Sequence, residues 1–237
     1  MDCNTSRRLS LIIPILLSIF LMEIGIAGSD EEISDEEGIE ISIDWIPGSR
    51  WFLRPGKNRD PIEAFSKSIE LDPKDFKSHI NRGNAYMMRD QYDMAINDYT
   101  KAIDLQPKDG EAYNNRGIAF GKKQQYDRAI EDLSMAVTLN PRDFKAYVNR
   151  GNSYRMINRY DLAVKDYTRA IELQPRQSIA YYNLSCIYSL RENPSEACRL
   201  LKKSIENGFN KWNHIRSNSC FDAIRNSACY QEIIIKR

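Results

Sequence analysis

Apolar and small residues between positions 76 and 211 follow two superposed periods. Within short stretches they fall three and four apart, the spacing that gathers one face of an α-helix. Over longer stretches the whole pattern returns every 34 residues. Gly83, Gly117 and Gly151 keep that interval, and Ser185 continues it. Ala95, Ala129, Ala163 and Ala197 form a second series, and Ala102, Ala136, Ala170 and Ser204 a third. Pro73, Pro107, Pro141 and Pro175 form a fourth. Tyr113, Tyr147 and Tyr181 recur as well, with His79 in the corresponding place. Several series in one register mark a chain built from internal repeats.

One unit, Asn81 to Pro107, contains two helical patterns with a short break. Gly83 allows close helix approach, as do Ala95 and Ala102 on the second helix, and Tyr86 and Tyr99 are expected to fill the space between them. Asp93 is expected to open the second helix, where a carboxylate meets unpaired N–H groups and the positive end of the helix dipole. Pro107 follows that helix and stops it, having no N–H to donate. A single hairpin cannot bury its apolar face, whereas stacked hairpins bury a continuous core and wind into a superhelix.

These residues resemble the tetratricopeptide repeat family. Its pattern of an aromatic, a small residue, a large residue, two alanines and a proline is met by Tyr113, Gly117, Phe120, Ala129, Ala136 and Pro141. The resemblance implies an all-α fold: a right-handed superhelix, or α-solenoid, of antiparallel helix hairpins with a C-terminal helical cap. Residues 76–109, 110–143 and 144–177 match as full repeats, and 178–211 is degenerate at its end. Residues 60–75 match only a second helix. Residues 212–237 resemble the closing segment of some bacterial members, with Trp212, Ile215, Phe221, Ile224 and Tyr230 as covering residues.

Arg82, Arg116 and Arg150 recur in the repeats, each followed sixteen residues later by Asp98, Asp132 or Asp166. The fourth repeat has Leu184 and Leu200 in those places. This pattern predicts an ion pair between the two helices of each of the first three hairpins, replaced by an apolar contact in the last.

The N-terminus has a different character. Arg7 and Arg8 precede an apolar run from Leu9 to Met22, and small residues follow at Gly25, Ala27, Gly28 and Ser29. This is the pattern of an export signal over residues 1–28, cleaved after Ala27. The alternative is a retained membrane anchor, although the run falls short of the roughly 20 residues that span a bilayer. In residues 29–59, an acidic linker comes first: residues 30–44 hold eight carboxylates and no cation. A Trp- and Pro-rich stretch over 45–59 follows, with Trp45, Trp51 and Phe52 expected to cover the open end of the stack.

Composition narrows the chemistry. The 237 residues carry 34 basic and 33 acidic side chains, so no chain-wide basic surface for nucleic acid exists. Two histidines and five cysteines leave little for a metal centre. No phosphate loop, nucleophile elbow or zinc-protease motif occurs. No catalytic residue, metal ligand or cofactor is expected, and the chain reads as non-enzymatic. Cys186, Cys198, Cys220 and Cys229 all fall in the last quarter; in an exported protein four cysteines permit three connectivities. Cys220 and Cys229 are the expected bridge of the cap, and Cys186 resembles a common core cysteine of the family.

The expected function is a scaffold or adaptor holding a peptide segment or protein partner in its concave groove after export, in a secreted or periplasmic setting. A membrane-anchored assembly factor for an envelope complex is the alternative, and RNA binding a lesser one. A membrane enters only if the N-terminal segment is retained. The resemblance places Lys77, Asn84, Asn114, Lys145, Asn152 and Arg155 on the concave face. Asn81, Asn115, Asn149 and Asn183 form a ladder, one per repeat. A carboxamide both donates and accepts, so such a ladder can pair with peptide backbone whatever its sequence. The alternative is that these amides face solvent. Asn183-Leu184-Ser185 is formally a glycosylation sequon.

Overall fold

The computed structural model describes residues 60–235 and, as backbone, Asp30–Ser34, Glu40–Asp44 and Phe52–Pro55. The expected export segment and both Trp45 and Trp51 lie outside the described residues. The chain divides into two units, residues 1–72 and 73–237.

In the first unit, strands β1 (Asp30–Ser34), β2 (Glu40–Asp44) and β3 (Phe52–Pro55) form an antiparallel meander. Its register sets Ile33 opposite Ile41 and Ile43 opposite Leu53. Part of the stretch expected as a linker is therefore strand. Isoleucines alternate there with acidic residues at a strand's period of two, a signal hidden beneath the charge count. Helix α1 (Pro61–Leu71) realises the half repeat; its Asp60 carboxylate accepts from the Ile62 N–H at 3.0 Å, and proline begins the helix.

The second unit is a run of helical hairpins. Helices α2 (Phe76–Met88) and α3 (Tyr92–Leu105) form the first, α4 (Gly110–Lys122) and α5 (Tyr126–Leu139) the second. Helices α6 (Phe144–Met156) and α7 (Tyr160–Leu173) form the third, α8 (Ser178–Leu190) and α9 (Pro194–Glu206) the fourth. Each helix packs on the next, and the first helices of neighbouring hairpins also touch. The solenoid expected from the 34-residue period is the fold observed.

Local chemistry explains the helix ends. Asp75, Asp109 and Asp143 cap the first helices, accepting from Lys77, Ala112 and Lys145 N–H groups. The second helices of the first three hairpins have no side-chain cap, whereas Asn193 caps α9 by accepting from the Glu196 N–H, and Asp93 lies in the first turn of α3 rather than at its cap. Its carboxylate still meets the dipole, and it pairs with Lys123 of the next hairpin. Between the helices of each hairpin the chain reverses through one left-handed residue: Asp90, Gln124, Asn158 or Glu192. The N–H two places past each cap returns to the helix, as Gln91 does to the Tyr86 carbonyl at 3.0 Å.

Close approach fixes the crossing of each hairpin. A Cβ added at Gly83 would come within 2.6 Å of the Tyr99 ring, and one at Gly117 or Gly151 within 2.7 Å of Leu133 or Tyr167. Beside these contacts sit the expected ion pairs. Arg82 donates to Asp98 through Nε at 2.8 Å and Nη2 at 2.7 Å. Arg116 and Arg150 repeat this fork on Asp132 and Asp166 at 2.7–2.8 Å. The third nitrogen of Arg116 reaches Thr100, and that of Arg150 reaches Ser134, each in the preceding hairpin. The three carboxylates are buried, and their hydrogen bonds raise the guanidinium pKa values above the ordinary one against the opposing effect of burial. Leu184 and Leu200 are buried in the fourth hairpin in their place.

The cap consists of α10 (Trp212–Ser217), a 3-10 turn (Ser219–Ile224) and α11 (Ala228–Ile235). Gly208, at φ +95°, turns the chain off α9, so that Phe209 stacks on Tyr182 with ring centroids 4.3 Å apart. Ile215, Phe221, Ile224 and Tyr230 close over that end, with Trp212 partly buried at its edge. The expected Cys220–Cys229 bridge does not form. Cys220 joins Cys186 on α8 and Cys229 joins Cys198 on α9, with Cα separations of 5.3 and 6.1 Å. The 3-10 turn lies over α8 and α11 over α9, so the two cysteines meet different helices. Closing loops of 34 and 31 residues restricts the unfolded chain by about 3–4 kcal/mol per bridge.

The buried ion pairs make a direct prediction. Arg116→Leu alone should cost about 3–5 kcal/mol, because it strands the Asp132 carboxylate. Adding Asp132→Leu should recover most of that loss, since two leucines serve in the fourth hairpin. Urea unfolding of both variants checks it; equal losses would refute the pairing.

Candidate functional site

The first helices α2, α4, α6 and α8 carry all ten residues singled out for the concave face. Lys77 and Lys145 are exposed, Asn114 and Asn183 are buried, and the remaining six are half-buried. The asparagine ladder is present, but three of its amides donate to other asparagines of the same face. Asn115 donates to Asn84 at 3.2 Å, Asn149 to Asn114 at 3.0 Å and Asn183 to Asn152 at 2.9 Å. Each bond crosses from one hairpin to the one before. Asn81 lies in the first full repeat, where no upstream first helix among the described residues can receive its amide.

The choice of acceptor follows from a second pairing. Tyr99 donates its hydroxyl to Asn84 and Tyr167 to Asn152, both at 2.7 Å. Burial pushes both phenols far above their ordinary pKa, so they remain protonated donors. In the second hairpin the tyrosine is Leu133 and the asparagine is Ile118, an apolar pair in the same two places. With no acceptor at Ile118, Asn149 turns to Asn114 instead. Sequence reasoning found the ladder but not these partners; the signal was that tyrosine and asparagine change together between hairpins.

Each ladder carboxamide keeps capacity for a ligand. Asn149 and Asn183 each spend one N–H on the neighbour, leaving a second N–H and the carbonyl oxygen. The Asn183 sequon lies on a helix with Asn183 and Ser185 both buried, so a glycan has no room there. Arg155 approaches Tyr167 and makes no ion pair among the described residues, and its Nε is buried without an acceptor. Lys122 and Lys145 likewise have no ion-pair partner among the described residues. Met156 stands 48% exposed beside them.

Between α4 and α6 the groove deepens into a cavity of about 250 Å³. Leu133, Tyr126, Ile118, Met156, Asn149 and Asn152 line it. A second cavity of about 410 Å³ involves the second helices, and its lining includes Arg116 and Asp132, already committed to each other. His79 is buried against Asp98 at 3.4 Å and His214 is exposed in the cap. Among the described residues, no three His, Cys, Asp or Glu side chains converge as metal ligands would. No helix among them is long and apolar enough to cross a membrane.

Comparison with known proteins agrees with the architecture. Tetratricopeptide repeat profiles match residues 110–143 and 144–177, and others match 64–97, 83–124 and 166–199. A solved structure of MamA superposes with a TM-score of 0.57 at 27% identity, covering 62% of this chain and 85% of that one. YrrB, described as a TPR protein with an unusual peptide-binding site, gives 0.53 at 26% identity, over 62% of this chain and 76% of its own. MamA from Desulfovibrio magneticus RS-1 shares the fold at 20% identity, with a TM-score of 0.57 over 62% and 82% of the two chains. No curated protein matches the sequence.

The paired tyrosine and asparagine predict an energetic coupling. Leu133→Tyr alone should cost about 1–3 kcal/mol, because its hydroxyl meets Ile118 in place of the asparagine that receives Tyr99 and Tyr167. Adding Ile118→Asn should restore most of that stability by rebuilding the pair of the first and third hairpins. A double-mutant cycle by urea unfolding measures the coupling, and strictly additive losses would remove it.

Proposed function

We propose that this chain, whose residues 64–199 are tetratricopeptide repeats, is a scaffold that binds an extended peptide segment of a protein partner along its concave face. One observation carries the reading: the inner face presents amide groups with spare donors and acceptors at each hairpin step, beside Lys122, Lys145 and Arg155, which make no ion pair among the described residues. A peptide backbone offers one N–H and one C=O per residue, so a row of carboxamides satisfies it without reading its side chains. The likeness to YrrB, whose structure holds a peptide-binding site, supports the same use of the fold. Fold alone would not decide this, since one architecture serves many functions.

The working place we propose is outside the reducing cytosol, in a secreted or periplasmic setting. The basic residues, apolar run and small residues of positions 7–29 support it. So do the two disulfides, which persist in oxidising compartments. In protein recovered from the exported fraction, alkylation without reductant should leave Cys186, Cys198, Cys220 and Cys229 unmodified, and reduction should expose all four. Four thiols that react at once would overturn this placement.

Two methionines of similar exposure test the groove. Met156 lies on a first helix at 48% exposure and Met135 on a second helix at 42%. A photo-crosslinking residue at position 156 should yield discrete partner adducts, and the same residue at 135 should not. Adducts at 135 alone, or equally at both, would move the binding face elsewhere.

A further inference from the structure

Gly121 has no packing reason to be glycine. At Gly83, Gly117 and Gly151 the facing side chain leaves no space for a Cβ, whereas a Cβ at Gly121 would meet nothing within 4 Å. Its backbone does not require glycine either, because α4 continues through it to Lys122 with no left-handed φ. Glycine within a helix weakens it, so the position forgoes stability without a structural return. The corresponding places in the other hairpins hold Met87, Arg155 and Ser189. At Gly121 the missing side chain leaves the cavity between α4 and α6 open.

The size and lining of that cavity describe its occupant. At about 250 Å³ it falls below the roughly 300–1,000 Å³ of small-molecule sites, and suits a single side chain. Leu133, Tyr126, Ile118 and Met156 give it an apolar interior. No carboxylate lines it, and the one charged residue in its wall is Lys122. Lys145 and Arg155 follow on α6, on either side of Asn149 in sequence, and neither makes an ion pair among the described residues.

We infer that this pocket is the anchor site of the groove: it takes one bulky aliphatic or aromatic side chain of the bound peptide, with acidic residues flanking that anchor. The inference rests on the groove reading above and adds the partner's chemistry to it. The anchor leaves water for the space over Leu133 and Tyr126. The peptide N–H beside it donates to the Asn149 side-chain oxygen, which accepts no other bond among the described residues. Flanking carboxylates meet Lys122, Lys145 and Arg155, none of which makes an ion pair among the described residues. The second hairpin thereby differs in role from its neighbours, which fill the same place with Met87 or Arg155.

The test uses the full chain and a panel of fluorescein-labelled ten-residue peptides. Their central residue is Leu, Phe, Ala or Ser, and its neighbours are Glu, Ser or Lys. Fluorescence anisotropy should show the tightest binding for Leu or Phe between glutamates. Replacing that centre with Ala should weaken binding about 10- to 100-fold, the value of burying one such side chain. Gly121→Met should fill the pocket and cause a similar loss while leaving the melting temperature unchanged or raised. Gly121→Ala, which adds one carbon in open space, should keep the fold and lose less affinity. Equal binding of Leu- and Ala-centred peptides, or unaltered affinity in Gly121→Met, would overturn the pocket and leave the groove standing. Preference for lysine flanks would overturn the acidic partner. Failure of the wild-type chain to bind any of these peptides, with no adduct at position 156, would overturn the groove and the pocket together.

Discussion

Everything on the concave face depends on how closely the two helices of each hairpin approach. Gly83, Gly117 and Gly151 allow a ring or a leucine of the second helix to lie against the backbone of the first. Where that group is tyrosine, its length carries the hydroxyl through the hairpin to the inner side, and an asparagine on the first helix receives it. That asparagine then accepts the amide of the next repeat. A contact inside one hairpin thus fixes a polar atom that spaces two hairpins. The second hairpin breaks the chain of hydrogen bonds with Leu133 and Ile118, and the neighbouring amide finds Asn114. Glycine, aromatic ring and carboxamide act as one unit, so substituting a single member disturbs the other two.

The opposite flank uses charge for a related purpose. Arg82, Arg116 and Arg150 each hold a buried aspartate with two parallel hydrogen bonds, and the last two also hold a hydroxyl of the preceding hairpin. Such a pair gains little net stability over an apolar contact, because two groups must leave water. It does specify geometry, since a forked guanidinium accepts only one arrangement of a carboxylate. The fourth hairpin, locked by two disulfides and a dense apolar cap, uses Leu184 and Leu200 instead. Charged pairs occur where hairpins meet further hairpins, and the apolar pair where the stack ends.

The fold was legible because its information is periodic. A 34-residue interval kept by glycine, alanine and proline leaves few alternatives, and the Arg–Asp spacing read correctly for the same reason. Features that occur once were harder. The disulfide partners of Cys220 and Cys229 depend on which helix lies beneath each cysteine, which spacing cannot show. The meander in residues 30–55 was concealed by acidic residues that alternate with isoleucine. Asp93 was expected to open the second helix, yet it lies in the first turn, and Gln91 holds the cap position without a side-chain bond. The asparagine ladder could be read as a ladder, but its donors and acceptors required the registry of neighbouring helices. Gly121 belongs to none of the 34-residue series, and only its empty surroundings distinguish it.

The two disulfides give the array a boundary condition. A solenoid of near-identical repeats behaves as a one-dimensional lattice in which each hairpin is stabilised by its neighbours. Here the terminal site of that lattice is covalently tied to its cover, α8 to the 3-10 turn and α9 to α11. Order at that site survives the loss of its neighbour, because the ties do not depend on the third hairpin. Partial unfolding therefore has a direction: cooperativity decays away from the cap, and the hairpins that form the groove can open and close while the cap end keeps its registry. The same asymmetry makes the cap the template against which the stack re-forms.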